Sequence, residues 1–133
     1  MVQSKTKLQV RYSETDQMGF VYYGNYPQYL EIGRVDALKS VGVSYRSMEE
    51  LGFGLPVKDL IIKYHNAALY DDELIITTTV NQMPTNKIVF DYEIKRGEDL
   101  IVTAQTPLFF INKEKRACRP PQSFIEQMKA YFS

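Results

Sequence analysis

The longest helical pattern in the chain begins just after Asn25. Placed at 100° steps, one set of apolar or small residues falls within an arc about 120° wide, the width of a core-facing helix face. That set is Tyr26, Tyr29, Leu30, Gly33, Ala37 and Val41. Asn25 is a suitable N-cap, Pro27 fits the first turn and Gly42 is a suitable end. The pattern therefore predicts one long helix between Asn25 and Gly42.

Three residues of this helix indicate which of its faces pack against other parts of the protein. Gly33 lies within the apolar face, where the missing side chain permits close approach to a sheet. Ile32 and Val35 are apolar but lie off that face. Their position predicts that the helix is covered on more than one side.

Strand patterns occupy most of the remaining chain. Leu8, Val10 and Tyr12 alternate with polar residues, which predicts a first strand at residues 8–13. After the helix, segments rich in β-branched or alternating apolar residues predict four more strands, at 60–64, 73–83, 87–95 and 100–112. Short helices are predicted at 44–51 and 121–132. Tight turns pair successive strands antiparallel, so we expect an α+β domain over residues 1–133, with an antiparallel five-stranded sheet against one long helix.

The net charge and the small numbers of cysteine and histidine residues argue against several classes of protein. Lys+Arg and Asp+Glu are 16 each, so the formal net charge is zero. That balance argues against a generic nucleic-acid binder, which carries a basic excess. No run of about 18 apolar residues occurs, and the polar first eight residues do not look like a signal peptide, so we expect no membrane insertion. A single cysteine, Cys118, fits a cytoplasmic location. With only one histidine, a Cys/His-rich zinc site is excluded, and we expect no metal or cofactor.

The segment from Thr15 to Tyr26 carries the most specific motif. It reads Thr-Asp-Gln-Met-Gly-Phe-Val-Tyr-Tyr-Gly-Asn-Tyr and leads into the long helix. Further matches follow in chain order: Tyr29-Leu30-Glu31 with Arg34 and Gly42, Lys63-Tyr64 with Ala67 or Ala68, and Asp72-Glu73-Leu74. Over nearly its whole length the chain resembles the hot-dog-fold acyl-CoA thioesterases of the 4-hydroxybenzoyl-CoA thioesterase family, including the Tol–Pal-associated bacterial members.

The resemblance implies a hot-dog fold, in which the sheet wraps around the central helix, and hydrolysis of a coenzyme A thioester. It also implies that Asp16 is the catalytic carboxylate, acting as general base or as nucleophile. The backbone N–H of Tyr23, at the helix N-terminus, is expected to polarise the thioester carbonyl. Gly24 and Tyr64 are the other implied substrate-site residues. Gly24 departs from the Tol–Pal-associated members, which often carry histidine at that position.

Each of these roles has an alternative. Asp16 can instead cap a turn before Gly19. The whole chain can be a non-catalytic acyl-binding or assembly subunit with the same fold, since a fold does not fix a function. A hot-dog hydratase or dehydratase is a third reading, which the absence of a histidine in the sequence near Asp16 disfavours.

A homo-oligomer, either a dimer or a tetramer, is the expected assembly. A single sheet covered by one helix leaves its edges unpaired, and zero net charge removes repulsion between copies. In the resembling family the acyl site lies between two subunits. Asp16 is therefore expected to face Tyr64 of the partner subunit.

Basic residues are candidates for holding the phosphates of coenzyme A. Lys95 and Arg96 lie together at one turn, and a second basic group lies near the C-terminus: Lys113, Lys115, Arg116 and Arg119. A solvated charged surface is the alternative for most of them.

The remaining polar candidates are expected to be structural. Glu31 and Arg34 stand three apart on the helix, which predicts a salt bridge between them. Glu14 is expected to point away from Asp16, on the opposite face of a strand. Asp72 is expected in a turn, and His65 as a surface or hydrogen-bonded strand residue.

Overall fold

The computed structural model describes residues 1–132. Its helices and strands, in chain order, are β1 Val2–Gln9, α1 Tyr26–Ser40, α2 Tyr45–Glu50, β2 Ile61–Tyr64, β3 Glu73–Val80, β4 Lys87–Arg96, β5 Asp99–Phe109 and α3 Gln122–Lys129. Short 3₁₀ turns at Tyr12–Glu14 and Tyr23–Asn25 precede α1. The predicted long helix, both short helices and the four later strands are confirmed, with ends shifted by a few residues.

The five strands form one sheet in the order β1-β3-β4-β5-β2, and every neighbouring pair is antiparallel. α1 packs on one face of this sheet, and the core lies between them. The strand side chains that face α1 are fully buried and branched or aromatic, with Ile76, Ile88, Phe90 and Ile94 at 0 to 1% exposure. This is the predicted α+β architecture, and it leaves β1 and β2 as the two edges of the sheet.

α1 buries the face that its sequence predicts. All six residues of the predicted arc are buried in the structure. At Gly33 an added Cβ would lie 2.5 Å from Thr78 Oγ1 and 2.8 Å from Ile76 Cγ2, so only glycine permits this close approach to β3. Ile32 remains 41% exposed, so residues 1–132 do not cover the second side of the helix.

The first strand was predicted at the wrong place. β1 runs from Val2 to Gln9 and pairs in register with β3, from Val2 opposite Val80 to Gln9 opposite Glu73. Its inward positions include Thr6, whose hydroxyl donates to Asp36 on α1 at 2.9 Å. Because a hydrogen-bonded threonine occupies a core position, hydrophobic alternation alone misses this strand.

Candidate active site

Asp16 lies in a tight loop between β1 and α1, here called the Asp16 loop and comprising residues 15–22. The Asp16 N–H donates to the Phe20 carbonyl at 2.8 Å, and the Gly19 N–H donates to the Asp16 carbonyl at 3.0 Å. Gly19 has a φ of +81°, a left-handed conformation that glycine adopts without strain. The loop therefore closes on itself and fixes the backbone on both sides of the carboxylate.

The two carboxylate oxygens of Asp16 have different surroundings. Oδ1 accepts hydrogen bonds from the N–H groups of Met18, at 2.9 Å, and Phe20, at 3.2 Å. Oδ2 accepts no hydrogen bond from the part of the chain that the structure describes, and the side chain is half-buried. Asp16 thus caps its own turn through Oδ1 alone, which leaves Oδ2 without a hydrogen bond to the described residues.

The N-terminal turn of the helix lies directly after this loop. The Val21 N–H donates to Ala68 O at 2.8 Å, and Phe20 forms a β-bridge with Leu69, which ties the loop to the segment after β2. Tyr23 then begins the 3₁₀ turn that leads into α1. Within residues 1–132 the Tyr23 N–H donates no turn or loop hydrogen bond. Tyr23 lies three residues before α1 begins, on the side of the helix where the dipole is positive.

An aromatic groove of about 350 Å³ joins these parts. Its lining residues are Asp16, Met18, Phe20, Val21, Tyr23, Tyr26, Tyr64, His65, Asn66 and Ala67. The ring of Tyr64 lies 5.5 Å from that of Tyr26 and 6.4 Å from that of Tyr23, both edge-on. Burial raises the pKa of the Tyr26 and Tyr64 hydroxyls above the ordinary phenol value.

Three of the four predicted site residues meet in this groove. Asp16, Tyr23 and Tyr64 all line it, and the Tyr64 hydroxyl donates to Tyr23 O at 3.3 Å. Tyr64 of the same chain lies beside the loop, and the expectation that Asp16 faces Tyr64 of the partner subunit stays a prediction. Gly24 lies one residue away, and a Cβ there would meet the Tyr22 ring at 2.6 Å. A residue with a side chain at position 24 would therefore displace the Tyr22 ring, which is 47% exposed.

His65 belongs to the same groove as Asp16, although the two lie 49 positions apart in the sequence. It lines the same groove, and its Nε2 lies 2.9 Å from Thr103 Oγ1 on β5. His65 was predicted as a surface or hydrogen-bonded strand residue, and it is exposed and hydrogen-bonded, just after the end of β2. Because it lines the same groove as Asp16, the absence of a histidine from the neighbouring sequence does not keep one out of the candidate site. Adjacency to Tyr64 was the only sequence signal for it.

Glu14 does not behave as predicted. It belongs to a 3₁₀ turn rather than a strand, and it is buried at 7% exposure. Its carboxylate accepts from the Arg11 N–H at 2.8 Å, the Arg11 guanidinium at 3.0 Å and the Tyr29 hydroxyl at 2.9 Å. Burial raises the pKa of Glu14, but the hydrogen bonds from Arg11 and Tyr29 outweigh it and lower the pKa below its ordinary value. Burial and the Glu14 carboxylate together raise the pKa of Tyr29.

The predicted salt bridge between Glu31 and Arg34 does not form. Arg34 is buried at 7% exposure and donates to the hydroxyls of Tyr45, at 2.9 Å, and Tyr92, at 3.1 Å, while Glu31 is exposed. The two phenols come from α2 and β4. Contacts from distant parts of the chain therefore override the local pairing that helical spacing suggests.

The two predicted phosphate ligands already have partners in the chain. Arg96 donates to Asp72 Oδ2 at 2.7 Å and to the Ala67 carbonyl at 3.0 Å. Asp72 Oδ2 also accepts from the Leu69 N–H at 2.8 Å, which confirms its place in a turn. Lys95 lies 3.3 Å from Glu93 on an exposed surface. Arg96 thus holds the segment that forms one wall of the groove.

Two other features bear on the chemistry. No three His, Cys, Asp or Glu side chains come together as a possible metal site within residues 1–132. In that same range, no helix is long and apolar enough to cross a membrane.

Comparison with known proteins adds to this geometry. The model of a family described as the thioesterase-like superfamily matches residues 10–128. A Bacillus subtilis protein named putative acyl-CoA thioesterase is 35% identical over 112 residues, which cover 84% of this chain and 81% of that protein. A Haemophilus influenzae acyl-CoA thioesterase is 28% identical, covering 94% of this chain and 90% of that protein. The structure of a DHNA-CoA thioesterase from Staphylococcus aureus aligns with a TM-score of 0.90 at 33% identity, covering 98% of this chain and 89% of that one.

Proposed function

The chain belongs to the thioesterase-like superfamily, and from that membership we propose that it hydrolyses acyl-CoA thioesters to a free acid and coenzyme A. Its antiparallel five-stranded sheet around one long helix is the hot-dog fold of the aligned thioesterases. The observation that carries the proposal is a half-buried aspartate with one open oxygen, in an aromatic groove beside the N-terminal N–H groups of a helix.

Asp16 supplies the reactive carboxylate in this proposal. Its Oδ2 either takes a proton from a water molecule, which then attacks the thioester carbon, or attacks that carbon itself to give a mixed anhydride that water hydrolyses. In both routes the C–S bond breaks and the coenzyme A thiolate leaves. Because Oδ1 is held by two backbone N–H groups, the carboxylate starts in a fixed orientation.

Tyr23 supplies the electrophilic assistance. Negative charge develops on the thioester carbonyl oxygen as the nucleophile attacks, and a preorganised N–H donor at a helix N-terminus stabilises that charge. The rings of Tyr26 and Tyr64 form an apolar wall for the acyl group, and their phenols stay neutral. Gly24, the residue after Tyr23, adds no side chain next to the proposed N–H donor.

The phosphates of coenzyme A need basic residues, for which Lys95 and Arg96 stay the predicted ligands. Lys95 is the more available of the two because its contact with Glu93 is exposed, and exposed ion pairs are weak. Lys95→Glu is expected to raise KM for acyl-CoA and to leave kcat nearly unchanged. If KM does not change, Lys95 does not bind the phosphates of coenzyme A.

A second copy of the chain is proposed to pair along the β2 edge of the sheet. Both edge strands lack a partner on one side, but exposed Lys5 and Lys7 protect β1. β2 instead exposes apolar side chains, Ile61 at 53% and Tyr64 at 47%. Because Tyr64 also lines the groove, a dimer built here places the acyl site next to the interface. Light scattering that gives the monomer mass of 15.4 kDa at assay concentration contradicts this assembly.

The direct test of the activity is a panel of acyl-CoA thioesters that includes short, long, branched and aryl groups. Thioester hydrolysis releases a free thiol, which a thiol reagent detects continuously. Release from at least one member, and much slower release by Asp16→Asn, supports the proposal. Binding without release from every member supports the acyl-binding subunit instead. Because His65 lines the groove, a 3-hydroxyacyl-CoA member also tests for dehydration, which yields an enoyl absorbance without free thiol.

A further inference from the structure

Glu14 is a buried charged residue for which the proposed chemistry has no direct use. One of its carboxylate oxygens accepts from the Arg11 N–H and from the Tyr29 hydroxyl, and the other accepts from the Arg11 guanidinium. Its backbone N–H also donates to the Arg11 carbonyl at 2.9 Å. Both carboxylate oxygens are therefore hydrogen-bonded, by Arg11 just after β1 on one side and by Tyr29 on α1 on the other.

The backbone carbonyl of Glu14 extends these contacts to the far end of the Asp16 loop. It accepts from the Tyr22 N–H at 2.9 Å and from Asn25 Nδ2 at 2.8 Å. Glu14 immediately precedes the loop, and Tyr22 ends it. Glu14, two residues before Asp16, is thus bonded to the start of the Asp16 loop through the chain and to its end through Tyr22. We call this arrangement the Glu14 clamp.

Tyr29 connects this clamp to the other half of the site. It lies on α1, in the first turn of the helix that follows the Tyr23–Asn25 turn, and it is 1% exposed. Its hydroxyl makes one hydrogen bond among the described residues, the one to Glu14 at 2.9 Å. A buried, charge-assisted hydrogen bond of this kind is strong and directional. It joins the turn that immediately precedes the Asp16 loop to the helix that immediately follows the Tyr23–Asn25 turn.

From this arrangement we propose that Glu14 and Tyr29 form a positioning pair, which fixes the Asp16 carboxylate relative to the Tyr23 N–H. The inference rests on the proposed thioesterase function. Burying a carboxylate is costly, and an apolar pair of the same volume stabilises a core at least as well. An apolar pair, however, lacks a directional hydrogen bond and so does not fix the orientation of the loop relative to the helix. A misplacement of about 1 Å between reacting groups is enough to cost a large factor in rate.

The test compares two deletions of a buried phenolic oxygen. Tyr29→Phe removes only the hydroxyl that contacts Glu14. Tyr92→Phe is the matched control, because it removes a buried hydroxyl bonded to Arg34, at 3.1 Å, and to Thr106, at 2.6 Å, outside the groove. Both variants are measured for melting temperature, kcat and KM with the best acyl-CoA, beside Asp16→Asn.

We expect Tyr29→Phe to lower kcat by about tenfold and to change KM by less than about threefold, because a mispositioned carboxylate slows the chemical step more than it weakens binding. Tyr92→Phe is expected to lose at least as much stability and to keep kcat within about twofold of the parent, because it breaks two buried hydrogen bonds away from the site. Glu14→Gln and the double variant Glu14→Gln/Tyr29→Phe complete a cycle. Since the two residues act through one bond, the double variant is expected to be about as slow as the slower single one.

The outcomes separate the two proposals. If Asp16→Asn turns over at the parental rate, the proposed function of Asp16 fails, whatever Tyr29→Phe does. If Asp16→Asn is inactive while Tyr29→Phe and Tyr92→Phe have equal kcat, the thioesterase stands and the positioning pair is refuted. If Glu14→Gln does not fold, the comparison of the two phenylalanine variants still decides the question.

Discussion

Replacing Asp16 by alanine removes the two hydrogen bonds by which its Oδ1 closes the Asp16 loop, at 2.9 Å to the Met18 N–H and 3.2 Å to the Phe20 N–H. A net hydrogen bond contributes about 0.5–1.5 kcal/mol, and half-exposure of the side chain places these two near the lower end. Alanine is therefore expected to cost about 1–2 kcal/mol in the free energy of unfolding. For a chain of this size that corresponds to a fall in melting temperature of roughly 3–6 °C.

Asparagine at the same position keeps an oxygen where Oδ1 lies. Asn and Asp are nearly equal as caps, so Asp16→Asn is expected to unfold within about 0.5 kcal/mol of the parent. Asp59→Ala serves as a control, because Asp59 is exposed and its side chain makes no hydrogen bond with the described residues. Chemical unfolding of the three variants gives the comparison. If Asp16→Ala proves as stable as Asp16→Asn, Oδ1 does not hold the loop, and the inferred orientation of the carboxylate is wrong.

Two further predictions concern the scaffold. Gly33→Ala places a Cβ 2.5 Å from Thr78 Oγ1 and 2.8 Å from Ile76 Cγ2. The overpacking cost of about 1–3 kcal/mol exceeds the gain of about 1 kcal/mol in helix propensity, so the variant is expected to be less stable than the parent. If its urea-unfolding midpoint equals that of the parent, α1 does not approach β3 as closely as the structure shows. For Glu14, a pKa below its ordinary value of 4.5 means that ionisation stabilises the fold above that pH and that this stabilisation is lost as the pH falls through the folded-state pKa. The stability difference between the parent and Glu14→Gln is therefore expected to be largest near neutral pH and to shrink in acid, and a difference independent of pH contradicts it.

Much of the scaffold follows from local sequence patterns. The buried face of α1 and the close approach at Gly33 are predictable because helical spacing and side-chain size act within one element. The first strand is not, because Thr6 occupies a core position that only its hydrogen bond to Asp36 makes acceptable. The partners of Arg34 could not be predicted either, since Tyr45 and Tyr92 reach it from two other elements.

The candidate site was predicted through resemblance more than through physics. The Asp16 segment and Tyr64 match a family pattern, and the structure brings them to one groove. The clamp at Glu14 has no local signature, because its partner Tyr29 lies 15 residues away and its burial depends on the turn after β1. Charged residues whose burial is compensated by distant partners are the class that sequence patterns predict least well.

The central claim, that Asp16 is the reacting group of an acyl-CoA thioesterase, is tested most directly by the turnover of Asp16→Asn. The variant keeps the size and the loop hydrogen bonds of the parent while it removes the charge that a base or nucleophile needs. With the best acyl-CoA substrate, kcat is expected to fall by about 10²–10⁴-fold while KM and the melting temperature stay close to parental values. A folded Asp16→Asn protein that releases coenzyme A at close to the parental rate contradicts the mechanism.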